Sequence, residues 1–221
     1  MINVMIHACP ARMWYVNEYM VPSMIAQGID QNDITIWNDS DGIGCLASCM
    51  ASFKSLPDDG ATWHLQDDVL IAHDFEERVQ HLNGGAYDVV CGFSHTLFEP
   101  FNRPWVGEAP AIFMFNSFPC IRIPNSMAKD FVRWFENDAR HRPEYKAWVK
   151  SGKHDDSLWH DYFTECHSDE YVWNEAPALV EHVDWLIGGS TVNTWRGYVC
   201  RAAYWDDEYL VEELQRKLAR Q

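Results

Sequence analysis

A chain of 221 residues, 47% hydrophobic and 14% aromatic, can bury one substantial core, which excludes intrinsic disorder and sets one domain over 1–221 as the expectation. Its formal charge of -16 disfavours a broad face for nucleic-acid backbones. No uninterrupted apolar run is long enough to span a bilayer, and seven cysteines without a CxxC pair read as buried thiols, so a soluble protein of a reducing, cytoplasmic compartment is expected.

Asn3 to Ala8 reads as a buried strand, followed by a Pro-Ala-Arg loop and a helical pattern carrying Val16, Tyr19, Met20 and Met24 on one face until Gly28. A second strand, Ile34 to Trp37, ends in the polar turn Asn38 to Gly42, and a helix with Leu46, Cys49, Met50 and Phe53 follows. A third strand, Ala61 to Gln66, runs into Asp67-Asp68, and Asp74 to Leu82 keeps Phe75, Val79 and Leu82 on one helical face before the turn Asn83-Gly84-Gly85. Strands are predicted at Asp88 to Phe93 and Ala111 to Asn116, separated by a proline-bearing loop (Pro100, Pro104, Pro110) that would serve as a substrate wall. A helix from Ser126 to His141 capped by Asn125, another from Asp156, a short strand at Tyr171 to Trp173 and a C-terminal helix opened by Asp206-Asp207-Glu208 complete the pattern.

Strand and helix alternate in the first half, which argues for an α/β fold with a mostly parallel sheet flanked by helices. Ligands of such sheets bind beyond the carboxyl ends of the strands. The loops there hold Arg12, Asp39 and the Asp67-Asp68 pair. Adjacent carboxylates repel unless a cation or solvent compensates, so a divalent metal is the sharp reading and a solvated turn the bland one. For Arg12 and Asp39 alike, a surface salt bridge or a turn-forming role is the bland reading.

Gln66-Asp67-Asp68 at a strand end resembles the DxD-type motif of the GT-A glycosyltransferases, with an amide in place of the first acid. Pro177 to Asp184 followed by Gly188-Gly189-Ser190 resembles a late PxLVxH...S element of that family. The resemblance implies a single Rossmann-like GT-A domain of the small bacterial or bacteriophage type, moving a sugar from a nucleoside-diphosphate sugar to a hydroxyl acceptor, glycan or modified phage DNA base. It assigns Mn²⁺ or Mg²⁺ to Asp68 and His182, and donor contacts to Asp67, Asp39, Arg12 and Ser190. Asp155-Asp156 resembles the acidic motif that supplies the base of inverting members, where one carboxylate takes the acceptor's proton; the alternative is that both charge a helix N-terminus. The Phe98 to Trp105 loop and Trp185 are candidate sugar-stacking walls. The rival classes are another phosphate-handling metalloenzyme, such as a nucleotidyltransferase, and a non-catalytic nucleotide-sugar binding protein.

Overall fold

The computed structural model describes residues 2–83, 88–93, 107–110, 119–151, 155–188, 202 and 205–220. Its strands are β1 (Val4–Ala8), β2 (Ile34–Asn38), β3 (Ala61–Gln66), β4 (Val69–Ile71), β5 (Val90–Cys91), β6 (Gly107–Pro110), β7 (Cys120–Pro124), β8 (Tyr171–Asn174) and β9 (Val180–His182). Seven of them form one sheet in the order β2-β1-β3-β7-β5-β8-β6. β2, β1 and β3 are mutually parallel, β7 is antiparallel to both β3 and β5, β8 is parallel to β5, and β6 is antiparallel to β8. Five strands (β1, β2, β3, β5, β8) therefore point one way and two (β7, β6) the other, a mostly parallel α/β sheet.

Helices cover both faces, which is why β1 and β3 are buried almost throughout. On one face Met5, Ile121 and Ile123 pack with Leu46, Phe53, Phe131 and Trp159 of the helices Cys45–Ser55, Asn125–Asn137 and Asp155–Cys166. On the other, Val4, Ile6, Trp63 and Leu65 pack with Tyr15, Met20, Phe75, Val79 and Leu214, contributed by the helical run after β1, the Phe75–Asn83 helix and the C-terminal Glu208–Leu218 helix. β4 leaves the main sheet and pairs antiparallel with β9 in a two-stranded sheet.

Several expectations change. The predicted strand Ala111 to Asn116 and the Phe98 to Trp105 loop lie outside the described residues, while Pro110 stands in β6, an edge strand among the described residues, where proline is best tolerated. β7 was not expected, and it reverses the sheet at its centre. The predicted Ser126 to His141 helix is Asn125–Asn137 followed by a separate 3₁₀ turn, Ala139–His141. Asn125 does not cap it with its side chain. Its Oδ1 accepts from Thr62 Oγ1 at 2.8 Å and its Nδ2 donates to the Asp59 carbonyl at 2.8 Å, so the amide ties the helix start to β3.

Candidate functional site

Because β1 and β3 are parallel neighbours, their carboxyl ends reach the same edge of the sheet, and the loops that follow them meet there. Cys9 and the 3₁₀ turn Pro10–Arg12 follow β1, and Asp67-Asp68 form the turn from β3 into β4. The Cys9 N–H donates to Asp67 Oδ2 at 2.7 Å. Arg12 Nη1 lies 2.7 Å from Asp67 Oδ1 and 2.7 Å from Asp68 Oδ2.

The small sheet brings in the third participant. Its register sets Val69 opposite His182, and the Val183 N–H donates to the Asp68 carbonyl at 2.8 Å, so His182 sits beside Asp68. His182 Nε2 is 3.4 Å from Asp68 Oδ2, the oxygen that also holds Arg12, and Nδ1 is 3.2 Å from Asp184 Oδ1. Trp185 Nε1 donates to the His182 carbonyl at 3.2 Å, and the Tyr15 hydroxyl donates to the Val69 carbonyl at 3.0 Å. Arg12, Asp67, Asp68, His182 and Asp184 are all buried, none more than 7% exposed.

Burial on this scale expels charge unless charges are paired, and here they are. For His182, burial acts to remove the proton, but Asp68 and Asp184 outweigh it and raise its pKa to about 10. For Asp68, burial acts to raise the carboxyl, and His182 with Arg12 reverses this, holding it below the usual carboxylate range. Asp67 goes the other way: burial and the adjacent Asp68 raise its pKa against Arg12 and the Cys9 N–H. The two acids of one turn are electrostatically unlike, one shifted below the usual carboxylate range and the other above it.

One carboxylate oxygen of the Asp67-Asp68 pair stands out among the described residues. Asp68 Oδ1 is buried and accepts no hydrogen bond among the described residues. An ionised oxygen left so is costly, and a cation is the natural partner for its lone pairs. With Asp68 carboxylate and His182 imidazole side by side, the donor set fits Mn²⁺, and Mg²⁺ less well because of the nitrogen. Coordination by His182 requires loss of the proton that Asp68 and Asp184 now hold on it. Elsewhere, His73, Asp74 and Asp207 present one ligand atom each within 4.8 Å of one another, with His73 Nδ1 2.7 Å from Asp207 Oδ1.

The remaining predicted residues are more dispersed in role. Asp39 accepts from the Ile43 and Gly44 N–H groups at 2.9 and 3.0 Å, so both its oxygens shape the turn into the Cys45–Ser55 helix. Asp156 Oδ1 accepts from the Ser157 N–H at 2.7 Å, at the start of the Asp155–Cys166 helix. The Asp155 side chain and Ser190 lie outside the described residues. Trp185 is 38% exposed beside His182, a partly open indole at the rim of the cluster.

Sequence reasoning missed Asp184, Tyr15 and Glu181. Asp184, two residues beyond His182, was legible as its second acid. Glu181 Oε1 accepts from both the His182 and Ala202 N–H groups at 2.9 Å, bracing β9 from within. Nothing in the sequence singles out Tyr15, whose bond depends on the path of β4.

No protein-family model and no curated protein matches the sequence. Among solved structures, the chain is similar to A197 from STIV, with 13% identity, a TM-score of 0.42 and coverage of 82% of this chain and 85% of that one. It is similar to the glycosyltransferase GlyE of Streptococcus pneumoniae TIGR4, with 10% identity and a TM-score of 0.46, over 98% of this chain and 64% of GlyE. HddC from Yersinia pseudotuberculosis follows, with 10% identity, a TM-score of 0.32, and coverage of 59% of this chain and 80% of that one. Similarity at this level assigns neither activity nor ligand.

Proposed function

We propose that this chain transfers a sugar from a nucleoside-diphosphate sugar to a hydroxyl acceptor, with a divalent cation held by Asp68 and His182. One observation carries the reading: an acid at a strand end and a histidine from a separate small sheet meet at 3.4 Å beside a buried carboxylate oxygen that accepts no hydrogen bond among the described residues. The DxD-like and PxLVxH-like segments that contribute these two residues support the same reading.

A cation bound there would neutralise charge developing on the leaving nucleoside diphosphate. Arg12 supplies a planar, permanently charged donor suited to a diphosphate oxygen. Asp67, whose oxygens accept from Arg12 and from the Cys9 N–H, is suited to accept a further hydrogen bond from a ribose or sugar hydroxyl. Asp155 or Asp156 takes the proton of the acceptor hydroxyl, and Ser190 contributes to the donor pocket. Trp185 offers an apolar ring for a sugar face.

The test is thermal stabilisation by UDP, GDP, CDP and ADP, with and without Mn²⁺, in the wild type and in Asp68→Ala. Stabilisation by one nucleoside diphosphate that needs both Mn²⁺ and Asp68 is the expected result, and it names the donor class. Stabilisation indifferent to metal and to Asp68 would overturn the metal-assisted reading. Asp156→Asn and Asp155→Asn then separate enzyme from binding protein, since loss of the base stops turnover and leaves donor affinity unchanged.

A further inference from the structure

We propose that Arg12 is a latch on the candidate cation site, holding Asp68 until a diphosphate draws it away, so that cation and diphosphate bind cooperatively. The inference rests on the reading of Asp68 and His182 as cation ligands.

Arg12 Nη1 is 2.7 Å from Asp67 Oδ1 and 2.7 Å from Asp68 Oδ2, and this second oxygen is also the one that His182 Nε2 approaches at 3.4 Å. A cation held by Asp68 and His182, even one seated on the unpartnered Oδ1, would stand beside the guanidinium on Oδ2 of the same carboxylate, and two positive charges so close in a buried site repel. In the cluster as it stands, Arg12 bridges the adjacent acids Asp67 and Asp68, and His182 lies between Asp68 and Asp184. A divalent ion arriving while Arg12 remains on Asp68 meets this resident cation on its own ligand.

The exchange that restores balance is visible in the partners. Asp67 has a second donor, the Cys9 N–H at 2.7 Å, so it stays partnered when Arg12 swings off. Arg12 then needs a new buried or half-buried anion, and a diphosphate provides oxygens in the geometry its fork matches. Asp68, released from Arg12, exposes both oxygens to the cation. Each ligand thereby removes the obstacle to the other, and the coupling is reciprocal. Without the diphosphate, Arg12 serves as the resident counter-cation of the acidic pair, keeping two buried carboxylates compensated.

The test counts bound Mn²⁺ by the loss of the free-ion EPR signal, all in a His73→Ala background so that an ion at His73, Asp74 and Asp207 is not counted. His73 has a 60% exposed side chain, which makes that background benign for folding. Without phosphate, Arg12→Met is expected to bind Mn²⁺ at least about tenfold more tightly than the parent, because a charge-assisted bond to the ligand oxygen has been removed. Adding Asp68→Ala to Arg12→Met abolishes the gain. In melting experiments with Mn²⁺, pyrophosphate and both, the parent's shift with both exceeds the sum of the two, whereas Arg12→Met shows additive shifts. If Arg12→Met does not fold, Arg12→Gln, whose amide still donates to Asp67, carries the same prediction in the same direction. Equal Mn²⁺ affinity in parent and variant overturns the latch while leaving the cation site standing. Absence of Mn²⁺ binding in every variant, with or without pyrophosphate, removes the cation reading itself.

Discussion

Replacing His182 with Gln should make the protein lose a block of stability whose size depends on pH. In the folded chain, burial acts to strip the His182 proton, but Asp68 at 3.4 Å and Asp184 at 3.2 Å raise its pKa from 6.5 to about 10. Each unit of displacement is worth about 1.4 kcal/mol, so roughly 3.5 units correspond to about 5 kcal/mol. That agrees with the range of about 3–5 kcal/mol for breaking a buried ion pair from one side. The sign follows from the direction of the shift. A raised folded-state pKa means that the folded protein holds a proton the unfolded chain has lost, so the contribution is complete below about pH 6.5 and drains as pH rises through about 10. Urea unfolding of wild type and His182→Gln, with EDTA present, measures it from about pH 6 to about pH 10. The difference between the two proteins should shrink by about 1.4 kcal/mol per pH unit above about 6.5. A difference that stays constant across this range would refute the assignment of a protonated, doubly paired His182.

The same proton predicts that Mn²⁺ affinity at the cluster rises with pH, by close to tenfold per unit between about pH 7 and pH 9, because coordination must expel it; isothermal titration in buffers of different ionisation enthalpy reads the released proton directly. On the acid side, burial lowers the His7 pKa from 6.5 to about 4, so stability should fall by about 3 kcal/mol between these values, and His7→Asn should flatten that limb of the urea profile. Gly92→Ala should destabilise by about 1–3 kcal/mol, since the added Cβ would lie 2.6 Å from Cys120 Sγ and 2.9 Å from Leu179 Cδ1. Leu179 donates its N–H to the Gly92 carbonyl at 2.7 Å just before β9, so the same change should weaken Mn²⁺ binding. Asp39→Ala should cost about 1 kcal/mol by freeing the Ile43 and Gly44 N–H groups, and a donor-binding role for Asp39 requires, in addition, a smaller nucleotide-dependent melting shift.

The sequence alone determined the α/β class, β1 to β3 and the helices after them, because long apolar stretches with period two or 3.6 carry their own structural signal. It also pointed to candidate residues: an acidic pair at a strand end announces itself by the cost of adjacent like charges, and His182 by the resemblance of its segment to a PxLVxH element. Short elements were not legible. β4 and β9 have three residues each, too few to show a period, and β7 reads in sequence as a loop around Pro119 and Pro124. The partnerships inside the site were decided only by tertiary structure. That Arg12 meets Asp67 and Asp68 depends on β1 and β3 lying parallel side by side, and that His182 meets Asp68 depends on β9 pairing with β4 in one register. A slip of one residue in that register would turn His182 to the opposite face and leave Glu181 or Val183 beside the acids. Local sequence sets what each segment prefers; which buried charges neutralise one another is settled by long-range pairing that no local preference encodes.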